Sequence, residues 1–392
     1  MQYDFDRRVD RRGTDSSKWD YRLEKGYTLD TLPMWVADMD IPAPPAVAEA
    51  ICRAARHNIY GYTKPKEPYY EAVRRWFASR HGYSPLREWQ VLTPGVVFAL
   101  STAVQAYTAP GEGVLLQRPV YYPFTRAVER NGRVVVNSAL VLRDGAYAVD
   151  WADFEAKAAR PDVRLFLLCS PHNPVGRVWT REELARMGEI CRRNGVVVVS
   201  DEIHCDFAYA PAVQTMFPTL GEADAMNCVL CTAPSKTFNL AGLQDSNIFI
   251  RNPALREPFQ KVLGREGYSE LNLLGLAAAR AAYEEGGEWL DQLLVYLRGN
   301  LDFARSFTAQ HLPGVRLVEP QGTYLLWFDL RGLGLDHAAQ EQLVCRRARL
   351  WLDDGVMFGP EGEGFWRLNM ACPRSLLAEA LQRLADALAA GA

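Results

Sequence analysis

Two nearly continuous apolar runs constrain the fold of this chain more than any other feature: RLFLLCS at 164–170 and GVVVVSDE at 195–202. A strand with one wet face alternates apolar and polar residues, whereas successive apolar residues indicate a strand that is covered on both faces. The amphipathic segment REELARMGEICRRNG between the two runs has the helical period. Strands of this kind that alternate with helices predict an α/β fold with a mostly parallel sheet between helices.

The order of the segments predicts two domains and an N-terminal segment in the 392-residue chain. Strands and helices alternate through residues 46–284, which we predict to be the large domain. Residues 285–392 carry the strand candidates VRLVE, TYLLWFDL and FWRLNM with flanking helices, which predicts a smaller α/β C-terminal domain. Residues 1–45 are irregular, and we expect them to pack with the small domain. Helical periodicity predicts helices at about 46–57, 67–81, 285–311, 336–352 and 375–390.

Charge and hydropathy exclude several classes of partner. The formal net charge is -3, from 44 basic and 47 acidic residues, so we expect neither nucleic acid nor an anionic membrane surface as a partner. No apolar run approaches the roughly 20 residues that a membrane span requires. The first residues, MQYDFDRRVDRRG, are charged and lack the apolar core of a signal peptide. We therefore expect a cytoplasmic protein.

The eight cysteines are scattered along the chain, so we expect them to be reduced. Cys228 and Cys231 match the pattern C-x-x-C, but they lie in an apolar run that is typical of a strand. A zinc site would also require a second pair of ligands nearby. We therefore predict buried thiols here, and no metal site.

Polar residues follow three of the predicted strands. Asn173 lies in SPHN after RLFLLC, Asp201 in SDEIH after the valine run, and Lys236 in APSK after VLCT. Because ligands of open parallel sheets bind just beyond the carboxyl ends of the strands, we expect these three residues to share one site. The loop 93–97 precedes an apolar helix, whose free N–H groups favour a phosphate.

Each of these residues also has a simple structural interpretation. Asp201 can cap a helix or form a salt bridge, and Asn173 can belong to a proline-flanked turn. Alternatively, Asp201 can hold the cationic ring nitrogen of pyridoxal phosphate (PLP), whose protonated pyridine acts as an electron sink. Lys236 is flanked by apolar residues, so it must be paired, desolvated or covalently used.

In combination these features resemble the fold-type-I PLP-dependent enzymes of the class I/II aminotransferase superfamily. The motifs PMWVADMDIPAPP, YGYT, SPHNPVGRVW, SDEIHCDF and SKTFNLAGLQ further resemble the cystathionine β-lyase and cystalysin branch, the MalY/PatB-type C–S lyases. The resemblance extends from about residue 3 to the C-terminus. It implies a large PLP-binding domain and a smaller α/β domain at the C-terminal end.

The resemblance implies roles for the residues around the cofactor ring. Lys236 would form a Schiff base with PLP and later move the substrate α-proton. Asp201 would pair with the pyridine nitrogen, and Asn173 would bond the ring 3′-oxygen. Tyr121 would stack on the ring face, and the adjacent Tyr122 is a second candidate catalytic residue.

The phosphate would be held by the backbone of Val96 and Val97 and by the Ser235 hydroxyl, again by resemblance. Tyr62 in YGYT would reach the phosphate of a neighbouring subunit, which implies a homodimer with shared active sites.

Two positions depart from the general aminotransferase pattern. His204 stands where a tyrosine is common, and is a candidate cofactor-pocket residue. Gln244 replaces a phosphate-binding arginine, which leaves the phosphate more dependent on uncharged donors.

The substrate carboxylate would be bound by Arg367, since an arginine fork gives two parallel hydrogen bonds. Asn173 and the backbone N–H of Ala37 would assist it, again by resemblance.

The implied reaction is an α,β-elimination on cystathionine or a related cysteine S-conjugate, which yields a thiol, pyruvate and ammonia. Two alternatives remain open on the sequence: a PLP-dependent aminotransferase, which uses the same lysine, and a PLP-binding regulatory protein. A Rossmann dehydrogenase is disfavoured because no G-x-G-x-x-G follows a predicted strand.

Overall fold

The computed structural model describes residues 3–390 of the chain. Its strands, in chain order, are β1 (Leu32–Pro33), β2 (Gln90–Thr93), β3 (Gly113–Leu116), β4 (Val134–Asn137), β5 (Leu140–Arg143), β6 (Ala146–Val149), β7 (Val163–Cys169), β8 (Val197–Asp201), β9 (Cys228–Thr232), β10 (Ser246–Phe249), β11 (Arg316–Val318), β12 (Leu325–Asp329), β13 (Leu350–Trp351), β14 (Asp353–Asp354) and β15 (Phe365–Asn369).

The α-helices are α1 (Pro45–Arg56), α2 (Glu67–His81), α3 (Val96–Tyr107), α4 (Pro123–Glu129), α5 (Trp151–Ala158), α6 (Arg181–Arg193), α7 (Glu222–Met226), α8 (Pro234–Thr237), α9 (Pro253–Arg265), α10 (Leu273–Glu285), α11 (Gly287–His311), α12 (His337–Glu341) and α13 (Arg374–Ala389). No helix among these described residues is long and apolar enough to cross a lipid bilayer.

A seven-stranded sheet with the order β2-β10-β9-β8-β7-β3-β4 forms the centre of the molecule. Only β10 runs antiparallel to its neighbours, β2 and β9, so the predicted mostly parallel sheet is confirmed. Successive residues of β7 pack into two different apolar clusters: Leu165 and Leu167 into one, Phe166 and Leu168 into the other. Both faces of the strand are therefore covered, which is why its sequence is continuously apolar.

A second, antiparallel sheet has the order β11-β12-β15-β14. The strands of the first sheet lie within residues 90–249 and those of the second within residues 316–369. This separation follows the predicted large and small domains, whose boundaries stay a prediction.

The two cysteines of the C-x-x-C pattern lie in β9 and are buried and unpaired. Cys228 packs into one apolar cluster and Cys231 into the other, across the sheet. Side chains on opposite faces of a strand cannot share one metal ion.

The helix predicted at 336–352 is confirmed for residues 337–347 and wrong for the last residues of the range. The α-helix α12 continues as a π-helical segment, Gln342–Arg347, and the chain then turns at Arg349, whose φ is 52°. Beyond it, β13 pairs in parallel with β1. The apolar residues of this range recur with the helical period, but pairing with the N-terminal segment determines the conformation of the last residues.

The N-terminal segment lies against both sheets. Asn369 of β15 donates from Nδ2 to the carbonyl oxygens of Val36 (2.8 Å) and Asp38 (2.6 Å). Asn239, beyond α8, donates to the carbonyl of Met39 at 2.9 Å and accepts from the Met39 N–H at 3.0 Å. The buried amide of Asn369 and the half-buried amide of Asn239 thus hold residues 36–39, and with them Ala37.

We predict that Asn369→Ala loosens this segment. The side chain is fully buried and its Oδ1 also accepts from the Ala371 N–H at 2.8 Å, so the variant loses three hydrogen bonds and leaves buried backbone groups unpaired. Such a loss costs about 1–3 kcal/mol for each group left unsatisfied. Hydrogen–deuterium exchange of peptides covering residues 35–41 should rise, and the melting temperature should fall.

Asn300→Ala is the matched control. Asn300 is equally buried and donates to the carbonyls of Met370 and Cys372, both at 2.9 Å. Its loss should lower the melting temperature without raising exchange at residues 35–41. Equal exchange at that segment in both variants would contradict the assigned role of Asn369.

Candidate active site

One cavity of about 180 Å³ lies at the carboxyl ends of β7, β8 and β9. The structure brings Asn173, Asp201 and Lys236 together there, as their positions after neighbouring strands predict. The other predicted site residues that line it are Ala37, Val96, Val97, Tyr121, His204 and Ser235. Three predicted residues, Tyr62, Tyr122 and Arg367, do not line this cavity.

Lys236 lies on the short helix α8, which follows β9 directly. Its Nζ donates to the carbonyl oxygen of Ala37 at 2.6 Å. Burial lowers the pKa of Lys236 to about 8; the positive charge of Arg367 acts in the same direction, while Asp38 and Asp201 oppose it. An amine with this pKa has a substantial neutral, nucleophilic fraction near neutral pH.

A hydrogen-bonded cluster fixes α8. The Thr237 hydroxyl, next to Lys236, donates to Asp206 Oδ2 at 2.7 Å. The other oxygen of Asp206 lies 2.9 Å from Nε2 of His81, at the end of α2. His81, Cys205 and Asp206 each place one atom that could bind a metal within 4.8 Å of the other two. Since both Asp206 oxygens already accept hydrogen bonds, we assign this group to holding α8 in place.

Asp201, the last residue of β8, is a buried carboxyl group that the charge of Lys236 reaches without a direct contact. It accepts one hydrogen bond, from the Ile203 N–H at 3.1 Å, and forms no ion pair with any of the described residues 3–390. Burial raises the pKa of Asp201 to about 7. A nearby positive charge would favour its ionised form.

His204 adds a second buried polar group with an unused atom. Its ring is buried, and Nδ1 has no hydrogen-bond partner among the described residues. Burial lowers the pKa of His204 well below its ordinary value, with the charges of Lys236 and Arg367 acting in the same direction. The ring is therefore neutral at pH 7.

The other end of the cavity begins at the N-terminus of α3. No side chain caps this helix, so the first N–H groups, at Val96 and Val97, are free for an anion. Ser235 and Gln244 also line the cavity. Among the lining residues that the structure describes, Lys236 carries the only positive charge. An anion at this end of the cavity would thus depend on backbone and hydroxyl donors from this chain.

Tyr121 lines the cavity, and its backbone N–H donates to the carbonyl of Asn173 at 3.0 Å. The ring of Tyr122 lies beside it, with 5.0 Å between the ring centroids. Tyr122 packs against Phe358, and the guanidinium of Arg126 lies 4.4 Å from its ring centroid. Tyr121 therefore lines the cavity, and the half-buried Tyr122 packs next to it.

Arg367 lies behind Asn173. Its Nη1 donates to Asn173 Oδ1 at 2.8 Å, and its Nη2 donates to the carbonyl oxygen of Trp35 at 3.1 Å and to Asp353. Because Oδ1 of Asn173 is engaged with Arg367, the Nδ2 hydrogens of the amide are left to donate to a ligand.

Tyr62 is fully exposed. It lies in a surface depression shared with residues 267–274, away from its own chain's cavity.

Three residues at or behind the cavity were missed by the sequence analysis. The Tyr324 hydroxyl donates to the Ala37 carbonyl at 3.2 Å. Asp245 lines the cavity, and burial raises its pKa to about 7, opposed by the hydroxyl of Tyr69 that donates to it. Asp353 pairs with Arg367. The double acid in LWLDDG, directly after an apolar strand, was the available signal for Asp353.

Known proteins with similar sequences and structures extend this description. Residues 35–384 match the family described as aminotransferase class I and II. The chain is 45% identical over 384 residues to cystathionine beta-lyase PatB of Bacillus subtilis (strain 168), covering 98% of this chain and 99% of that protein. It is 35% identical to protein MalY of Escherichia coli (strain K12), with 99% of each chain covered. The crystal structure of cystalysin from Treponema denticola, which contains a pyridoxal 5′-phosphate cofactor, matches with a TM-score of 0.96 at 37% identity, over 100% of both chains.

The expected fold-type-I architecture, PLP as cofactor and the expected enzyme family are thereby confirmed. The chain belongs to the class I and II aminotransferase family of PLP-dependent enzymes, in the branch that contains PatB, MalY and cystalysin.

Proposed function

We propose that this enzyme is a C–S β-lyase that cleaves cystathionine or related cysteine S-conjugates by α,β-elimination to a thiol, pyruvate and ammonia. The observation that carries the proposal is the similarity, over nearly the whole chain, to a cystathionine β-lyase and to cystalysin. The side chains in and beside the cavity support it, because they suit such a reaction.

The residues present fit PLP. Asp201 is a buried acid that forms no salt bridge among residues 3–390, and the protonated ring nitrogen of PLP would supply a cation in direct contact with it. His204 Nδ1 has no hydrogen-bond partner among residues 3–390, and Asn173, whose Oδ1 accepts from Arg367, has its Nδ2 hydrogens beside the same cavity. The uncapped N-terminus of α3, with Ser235, suits a phosphate. We assign Lys236 as the residue that binds the cofactor covalently.

Bound PLP supplies an electron sink for a carbanion at the substrate α-carbon. The residues of this chain do the remaining work. Arg367, with Asn173 and the N–H of Ala37, binds the α-carboxylate and so orients the substrate. Lys236 then removes the α-proton, for which its lowered pKa of about 8 is suited. Tyr121 covers one side of the cavity, and we assign it to stacking on the cofactor ring.

The first test is product analysis of the purified holoenzyme with cystathionine and a panel of S-substituted cysteines. We expect equal amounts of pyruvate and free thiol, without any need for a keto acid. A new amino acid formed only when a keto acid is added, with no thiol released, would assign the enzyme as an aminotransferase instead. Bound PLP without turnover of any thioether would favour the regulatory alternative.

The lowered pKa of Lys236 predicts how the apoenzyme takes up its cofactor. The neutral amine is the nucleophile, so the rate of PLP capture should rise with pH and level off above about 8. With the ordinary lysine pKa of 10.5 the rate would keep rising through pH 10. The measurement is the growth of bound-cofactor absorbance after mixing apoenzyme with PLP. A rate that still rises steeply from pH 9 to pH 10 would refute the shift.

We also propose that the enzyme is a cytoplasmic homodimer with shared active sites. The eight cysteines are all unpaired, which suits a reducing compartment. Tyr62 is fully exposed beside two further exposed apolar side chains, Ile59 and Tyr60, and clustered exposed apolar groups mark interaction surfaces. A phosphate in a cavity with a single lysine would gain a hydroxyl donor if the partner's Tyr62 reached it.

Mixing two inactive variants tests the shared site. Lys236→Ala should abolish turnover, and Tyr62→Ala should lower it strongly by weakening cofactor binding. After the two are mixed and allowed to exchange subunits, one site of each heterodimer combines an intact Lys236 with an intact Tyr62. Activity should therefore reappear. If the mixture is no more active than its parents while mass spectrometry shows heterodimers, Tyr62 does not act across the interface.

A further inference from the structure

Three of the N–H donors of Arg367 are already hydrogen-bonded within the protein. A guanidinium has five N–H donors in a fixed fork geometry. Nη2 uses both of its hydrogens, on the Trp35 carbonyl and on Asp353, and Nη1 uses one on Asn173. Nε is buried and has no partner among the described residues. Nε–H and one hydrogen of Nη1 are therefore the donors of Arg367 that have no partner among the described residues.

Asp353 determines which donors remain free. It lies directly opposite Arg367 in the pairing of β14 with β15, so both side chains project from the same face of the small sheet. Both side chains are 2% exposed. Asp353 is the carboxylate within ion-pair distance of Arg367 among residues 3–390.

The rest of the surroundings restrain Arg367 less strongly. Trp35 offers one carbonyl oxygen, Asn173 one amide oxygen, and the ring centroid of Phe358 lies 4.9 Å from the guanidinium carbon. A charged hydrogen bond between two buried groups is roughly twice as strong as a neutral one. Asp353 is thus the contact that most restricts rotation of the guanidinium about its long side chain.

We propose that Asp353 is a positioning residue for substrate recognition: it holds Arg367 so that the remaining donors face the α-carboxylate of the incoming amino acid. The inference rests on the proposed function only in assigning Arg367 to that carboxylate. Without Asp353, Arg367 keeps its charge, but its guanidinium is no longer held in one orientation. Each substrate that binds must then order the guanidinium, which costs conformational entropy and weakens binding.

The test compares two ligands that differ in the carboxylate. L-Alanine carries it, and ethylamine lacks it, while both present an amine to the Lys236-bound cofactor and change its visible absorbance. Asp353→Ala should raise the dissociation constant of L-alanine by about tenfold or more, equivalent to about 1.4 kcal/mol. It should leave that of ethylamine unchanged. Asp353→Asn retains an acceptor oxygen and should fall between the wild type and Asp353→Ala for L-alanine.

Asp329→Ala is the matched control. Asp329 is also a buried carboxylate of the small sheet, and it pairs with Arg331, whose guanidinium lies over the ring of Phe365 and whose side chain is exposed. It should leave both ligands unaffected. If Asp353→Ala weakens L-alanine and ethylamine equally, the residue is merely structural and the proposal fails. It fails as well if L-alanine binds to that variant as tightly as to the wild type.

A double-mutant cycle separates this inference from the proposed function. In an Arg367→Gln background, Asp353→Ala should have no further effect on L-alanine binding, because its partner is gone. An undiminished effect would show that Asp353 acts by another route and would overturn the proposal.

None of these titrations requires C–S bond cleavage. If the wild-type enzyme releases no thiol, the lyase assignment is refuted, but the role of Asp353 in binding the carboxylate is not. In an active lyase, Asp353→Ala should raise KM for the thioether far more than it lowers kcat.

Discussion

Burial of charge is the constraint on which this site depends. Asp201 and Arg367 are buried, and Lys236 is half-buried between them and the N-terminal segment that it contacts through Ala37. Transfer of an ionised group into the protein interior costs several kcal/mol unless it is paired. The protein compensates each group differently: Arg367 has a permanent carboxylate partner, Lys236 has a carbonyl oxygen and a lowered pKa, and Asp201 has one backbone N–H and a raised pKa. Only the last two are incompletely compensated, and these are the groups that a cofactor would engage.

The two sheets contribute different parts of this arrangement. The large sheet supplies Asn173, Asp201 and the helix with Lys236, whereas the small sheet supplies Arg367. Residues 36–39 connect them, since Asn369 binds the segment from one side and Asn239 from the other. The distance between the cofactor side and the carboxylate side of the site therefore depends on a segment with no regular secondary structure of its own.

Sequence patterns predicted the sheet and the meeting of three strand ends because both follow from local rules. A doubly covered strand must be apolar throughout, and polar residues beyond the ends of parallel strands must meet at one edge. Asp353 and Tyr324 were beyond such rules. The role of Asp353 depends on its lying opposite Arg367 in the paired strands, and that register is set by the whole fold. The role of Tyr324 depends on the packing of the distant residue Ala37 against it. The end of the predicted helix at 336–352 failed for the same reason, because β13 exists only through its pairing with β1.

The carbonyl oxygen of Ala37 accepts from two donors, Lys236 Nζ and the Tyr324 hydroxyl. A carbonyl has two lone pairs, so it stays satisfied when one of the donors leaves. The amine of Lys236 can therefore withdraw from its resting position without leaving an unpaired acceptor in the interior, which would otherwise cost about 1–3 kcal/mol. The hydrogen bond from Tyr324 to Ala37 thus holds residues 36–39 in place while the Lys236 amine leaves the Ala37 carbonyl for another partner.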